Sequence, residues 1–152
     1  MHMMIAAVGR SRSGPERSLF DQYAVRIRPS LLVKEVEGKR SLPCPDRVKH
    51  EGERLLSCVP PRALVVALDE RGDTLSSHDF AALLQTWKRE SVASCAFLIG
   101  GADGHSDAVR QRADILLALG PMTWPHMLVR SMLAEQIYRA QCIAVQHPYH
   151  RG

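Results

Sequence analysis

The sequence predicts an α/β fold built on a largely parallel sheet, and three observations carry that expectation. Short apolar runs of strand length recur along the chain, each closed by Gly, Pro or a charged turn. Between them lie longer segments with apolar residues at helical spacing and a start signal in front. The two patterns alternate, as in βαβ units, where a helical crossover returns the chain to a parallel neighbour.

The elements follow in order. Met3 to Val8 is an apolar run ended by Gly9 and reads as a buried strand. Pro15 and Glu16 open a helix that carries Leu19, Phe20, Tyr23, Ala24 and Ile27 on one stripe and stops before Pro29. Leu31 to Val36 is a second strand; a polar loop reaches Pro45, and Asp46 caps a helix to about Cys58. Ala63 to Leu68 is the clearest strand, and Asp69 to Gly72 turns away from it. Ser76 with Asp79 forms a capping box for a helix through Phe80, Leu83, Leu84 and Trp87. Ser94 to Ile99 is the fourth strand, ending in Gly100-Gly101-Ala102-Asp103-Gly104. Ser106 or Asp107 caps a helix through Val109, Ala113, Leu116 and Leu117, and Met122 to Trp124 reads as a short strand. Pro125 begins a long helix from about His126 to Val145, followed by an irregular tail.

Composition narrows the class. A chain of 152 residues with 45% hydrophobic and 24% charged residues holds one core, so a single domain over 1–152 is expected. No apolar run is long enough to span a bilayer, and the apolar N-terminus is shorter than a signal peptide's core and runs straight into Arg10 and Arg12. The expected location is the cytoplasm. Cys44, Cys58, Cys95 and Cys142 are scattered without a CxxC pair, which fits reduced cysteines and offers no zinc ribbon. Eleven of the twenty Lys and Arg but seven of the sixteen Asp and Glu precede residue 55, leaving nine of each beyond it. The whole positive excess therefore sits in the first third, a basic flank that suits a polyanionic partner.

In parallel sheets ligands bind beyond the carboxyl ends of the strands, here Leu68-Asp69 and Ile99-Gly100-Gly101. The glycine run after Ile99 is not GxGxxG and has no Walker lysine, so it is either a plain turn or a cofactor loop. Leu119 to His126 is an apolar loop stiffened by Gly120, Pro121 and Pro125, either a rigid connector or an adenine-binding wall. In the tail His147-Pro148-Tyr149-His150-Arg151, Pro148 breaks any helical metal register, while the residue types combine a base, a stacking ring and a phosphate fork. Glu135 and Arg139 are i,i+4 neighbours on the long helix, whose apolar surface is wider than one stripe and so is either deeply buried or part of an oligomer interface. His2, His50, His78 and His105 are isolated and receive no role.

Taken together these segments resemble the ribosomal large-subunit pseudouridine N3-methyltransferases of the SPOUT class. The matching stretches are Ala6 to Gly9, Glu51 to Glu53, Ala67 to Gly72, Leu98 to Gly101, Met122 to Arg130, Ala134 to Ala140 and His147 to Arg151, in order over nearly the whole chain. The resemblance implies a SPOUT-type parallel sheet flanked by helices with a C-terminal trefoil knot, and a homodimer. It implies S-adenosyl-L-methionine as cofactor, held by Leu68, Gly100 and the loop Leu119, Gly120, Pro121, Met122, Thr123 and Trp124. The implied reaction methylates N3 of a pseudouridine in 23S ribosomal RNA within the assembled ribosome, with neither DNA nor membrane as partner. On that reading His150 acts as the base or orients it, Tyr149 stacks on or hydrogen-bonds the target base, Arg139 and Arg151 hold phosphate or carbonyl groups, and Glu135 orients Arg139. Two positions depart from the family's habit: Gly120-Pro121 stands where a serine-containing loop is common, and His105 replaces an apolar residue. The alternatives are a SPOUT enzyme acting on another RNA such as transfer RNA, or a non-catalytic RNA- or ribosome-binding protein of the same fold.

Overall fold

The computed structural model describes residues 1–151, His150 and Arg151 by backbone alone. Five strands, β1 (His2–Val8), β2 (Leu32–Val36), β3 (Leu64–Thr74), β4 (Ser94–Ile99) and β5 (Ile115–Ala118), form one sheet in the order β2-β1-β4-β3-β5. Every pairing in it is parallel, as expected. Five helices connect or follow them: α1 (Pro15–Ala24), α2 (Cys44–Ser57), α3 (Ser77–Arg89), α4 (Asp107–Arg112) and α5 (His126–Ala144).

Strand alternation assigns the layers. In β1, Met3, Ile5 and Ala7 point into a core shared with Phe20 of α1, Phe80, Leu84 and Trp87 of α3, and Leu133 and Ile137 of α5. Met4, Ala6 and Val8 point the other way, into a second core with Leu55 of α2 and Val109 of α4. Both faces of the sheet are thus covered, which is why its strands read as continuous apolar runs. The broad apolar surface of α5 is explained in part by burial, since it packs against both α1 and α3.

Local chemistry sets the helix starts. Pro15 occupies the first turn of α1, where its missing N–H costs nothing. The Ser76 hydroxyl accepts the Asp79 amide at 3.1 Å, the expected cap, while the Asp79 carboxylate accepts that hydroxyl at 2.6 Å. Ser106 likewise caps α4 through the Val109 amide. The helix expected to be capped by Asp46 starts three residues earlier, with Pro43 at its cap.

Four expectations need correction. The helix after Ser106 does not run through Leu117; it stops at Arg112, and Ile115 to Ala118 is β5. The switch is made by Asp114, whose amide donates to the Val65 carbonyl at 2.9 Å while its carboxylate accepts the Val65 amide at 2.7 Å. That pair docks the segment onto β3, and ladder pairing overrides the helical spacing of its apolar residues. Asp69 to Gly72 does bulge, but the strand then resumes: Leu117 pairs with both Leu68 and Asp73. Gly72 is needed there because a Cβ would lie 2.4 Å from the Leu116 carbonyl carbon. Met122 to Trp124 is not a strand; held between Gly120 at φ 114° and Pro125, it folds back so that the Trp124 indole donates to the Leu119 carbonyl at 3.3 Å. The tail is not wholly irregular, since Pro148–Arg151 makes one 3₁₀ turn.

Candidate active site

The bulge of β3 at 68–71 and the carboxyl ends of β4 and β5 open into a cavity of about 640 Å³. Its wall includes Leu68, Gly100, Leu119, Gly120, Met122, Thr123 and Trp124, so seven of the eight residues expected to hold a cofactor meet at one place. Pro121, the eighth, is exposed and does not line it. The apolar walls come from Leu68, Ile99, Leu117 and Val129, and the glycine run supplies main chain. A Cβ on Gly100 would lie 3.0 Å from the Gly104 carbonyl oxygen, so the turn is closed to side chains and its backbone faces the space directly.

The cavity also holds Asp69, flagged in the sequence only as a strand end, with Arg110 and His105, to which sequence reading gave no role. The Arg110 guanidinium meets the Asp69 carboxylate at 2.7 Å, and the other Asp69 oxygen accepts the Arg71 amide at 2.9 Å. Burial opposes the Asp69 charge, but the Arg71 amide and Arg110 outweigh it and hold the carboxyl below its ordinary range. His105 is 4% exposed, its ring set against the backbone of Leu68 and Leu98. Burial, with a contribution from Arg110, pushes its pKa below the ordinary histidine value, while Asp69 pulls the other way, so the ring is neutral at pH 7. The signal for Asp69 and Arg110 was present in the sequence only as a charged residue closing an apolar strand; nothing local pointed to their pairing across the fold.

A second network lies on α5 and the tail. The Glu135 carboxylate accepts Arg139 at 2.7 Å, the Gln136 amide at 2.7 Å and the Tyr149 hydroxyl at 3.0 Å. The Ser77 hydroxyl donates to Gln136 at 2.7 Å, which ties the group to α3. Tyr23 of α1, absent from the expected set, hydrogen-bonds the Tyr149 hydroxyl at 3.2 Å. The Arg139 guanidinium also stands 5.0 Å from the centroid of the Tyr149 ring. Burial and the bonds to Tyr23 and Glu135 drive the Tyr149 pKa well above that of a free phenol, and the bond to Glu135 raises that of Arg139. Tyr149 is therefore a neutral hydrogen-bonding group and not a base. The side chains of His150 and Arg151 lie outside the described residues.

Neither Glu135 nor Tyr149 lines the first cavity. Glu135 and Tyr23 border a neighbouring, largely apolar groove of about 520 Å³, which shares Leu117 to Gly120 with it. Among the described residues no His, Cys, Asp and Glu cluster is arranged to hold a metal. No described helix is long and apolar enough to cross a membrane.

Comparison with known proteins adds to this geometry. The ribosomal RNA large subunit methyltransferase H of Rhodospirillum centenum is 56% identical over 152 residues, covering all of both chains. The protein of the same name from Paramagnetospirillum magneticum is 55% identical over 99% of each. The crystal structure of the SpoU methyltransferase AviRb from Streptomyces viridochromogenes superposes with a TM-score of 0.51 at 15% identity. That match spans 94% of this chain but 61% of the AviRb chain, and it concerns the fold alone. The family model described as predicted SPOUT methyltransferase matches residues 1–150, and with full-length relatives above half identity the chain belongs to the SPOUT methyltransferase family.

Proposed function

We propose that the protein transfers a methyl group from S-adenosylmethionine to N3 of a pseudouridine in 23S ribosomal RNA. The observation that carries this reading is the cavity beside the bulge of β3 and the ends of β4 and β5, which gathers residues that the resemblance implies and that parallel-sheet geometry also points to. Large-subunit ribosomal RNA as substrate is supported by the full-length relatives named as its methyltransferases. The fit to the cofactor is favourable: a roomy, mostly apolar space, main chain exposed at a turn that excludes a Cβ, and a fixed Asp69–Arg110 pair in its lining. Leu68, Gly100 and the loop from Leu119 to Trp124 would hold it. When bound, S-adenosylmethionine supplies an activated methyl group on a sulfonium.

The chain's own work is then alignment, exclusion of water and removal of one proton. The pseudouridine N3–H is weakly acidic and must lose that proton before the nitrogen attacks. His150 is assigned as base, a role worth about 10²–10⁴-fold in rate. Tyr149 keeps its proton and positions the target base, Arg139 faces a carbonyl or phosphate, and Glu135 holds both in place.

Because no residue of the tail network lines the cofactor cavity itself, the reading includes a homodimer in which one copy's tail completes the other's cavity. It also includes the trefoil knot of the fold, with the chain after β5 passing through 119–125 into α5, a single domain, action on the assembled ribosome, and the cytoplasm as location. The test is labelled methyl transfer to ribosomes by the wild type and by His150→Ala. The variant is expected to bind S-adenosylmethionine with unchanged affinity and to lose transfer by at least about 10²-fold; a variant with full rate would remove His150 from the mechanism.

A further inference from the structure

The positive excess in the first third of the chain has a definite place in the fold. β1 and β2 are neighbours in register, with Val8 opposite Val36, so the loops that leave them lie side by side at the carboxyl edge of the sheet. That edge also carries the proposed cofactor cavity, and Gly9 lies next to one of its lining residues: a Cβ there would be 3.6 Å from His126 Nε2.

The first loop is polar, yet it is held rigidly. The Gly9 amide donates to the Val36 carbonyl at 2.8 Å and the Ser11 amide to Glu35 at 2.8 Å. Arg130 of α5, 4% exposed, donates to the Val8 and Gly9 carbonyls at 2.8 and 2.6 Å and to Glu35 at 2.7 Å. A buried guanidinium whose Nε has no partner among the described residues is an expensive way to fix a surface loop. It leaves a net result in charge. Glu35 is neutralised by Arg130 and Glu37 by Arg10 at 3.1 Å, whereas Arg12, Lys39 and Arg40 are exposed with no ion-pair partner among the described residues.

We infer that these paired loops are the docking rim for the sugar–phosphate backbone of the RNA substrate, with Arg12, Lys39 and Arg40 as phosphate contacts; this rests on the reading of the chain as an RNA methyltransferase. Arg12 stands on a loop whose main chain the Arg130 clamp already fixes, so ordering that loop adds little entropic cost on binding. The contacts carry no base preference. They fix the orientation of the RNA beside the cavity while the site itself selects the nucleotide.

The experiment compares two triple variants of the full dimer at equal charge removed. One is Arg12→Ala/Lys39→Ala/Arg40→Ala. The other is Arg62→Ala/Lys88→Ala/Arg89→Ala, at the opposite edge, where the chain enters β3 and β4. The RNA KM of methyl transfer to ribosomes is measured against salt concentration, with S-adenosylmethionine affinity as control. The rim variant is expected to raise KM roughly tenfold or more at physiological salt and to flatten the salt dependence by about one unit of slope per contact. The opposite-edge variant is expected to match the wild type, and cofactor affinity is expected to stay constant in both. Equal effects of the two variants, or none from the rim variant, would overturn the docking rim while leaving the enzymatic reading intact. A wild type that methylates no ribosomal RNA would instead overturn the reading beneath it.

Discussion

Glu135 is the residue on which the tail depends, because it accepts hydrogen bonds from Arg139, Gln136 and Tyr149 at once. Glu135→Ala removes the common acceptor, and the expected outcome is a fall in transfer of about tenfold or more with cofactor affinity unchanged, measured by single-turnover methylation and calorimetry. His105 supports a different prediction. Its folded pKa lies below the ordinary value of 6.5, so between the two values the unfolded chain binds the extra proton. The stabilisation it contributes is complete above about pH 6.5 and is lost as pH falls toward the folded pKa. His105→Leu is expected to flatten the fall in Tm between pH 7 and pH 5, read by thermal melts across that range. An unchanged profile would assign the acid sensitivity to other groups. Arg110→Ala strips Asp69 of its charged partner and is expected to cost roughly 1–3 kcal/mol by urea unfolding, the penalty of a buried acceptor left short.

At the scale of elements, what could be read from sequence was what is locally encoded. β1, β2 and β4, the start of β3, and the starts of α1 and α3 each follow from an apolar run or a cap whose partners lie within a few residues. β5 was misread as helix because its identity depends on Asp114 bonding Val65, 49 positions away. The bulge in β3 escaped notice for the same reason: it exists to pass Leu116 and Leu117. The cavity wall was legible because glycines and prolines mark it in the chain, whereas the Asp69–Arg110 pair and the Tyr23–Tyr149 contact join distant segments and leave no local trace. The bulge gives its own prediction. Gly72→Val places a side chain against the Leu116 backbone and is expected to lower stability by about 1–3 kcal/mol and to weaken S-adenosylmethionine binding, since β5 leads directly into the cavity wall.

For the whole molecule, the proposed reading distributes one reaction over three places on one sheet edge and its flank. It takes the cavity beside the β3 bulge and the ends of β4 and β5 as the cofactor site, the tail network beside the adjoining groove as the target-base site, and the basic loops after β1 and β2 as the rim. The measurement that tests this account most directly is transfer of labelled methyl from S-adenosylmethionine to assembled ribosomes, free large subunits and bulk transfer RNA in parallel. The account predicts label in 23S RNA, at pseudouridine N3, from assembled ribosomes. Label in transfer RNA, or no label on any acceptor while the cofactor still binds, would contradict it.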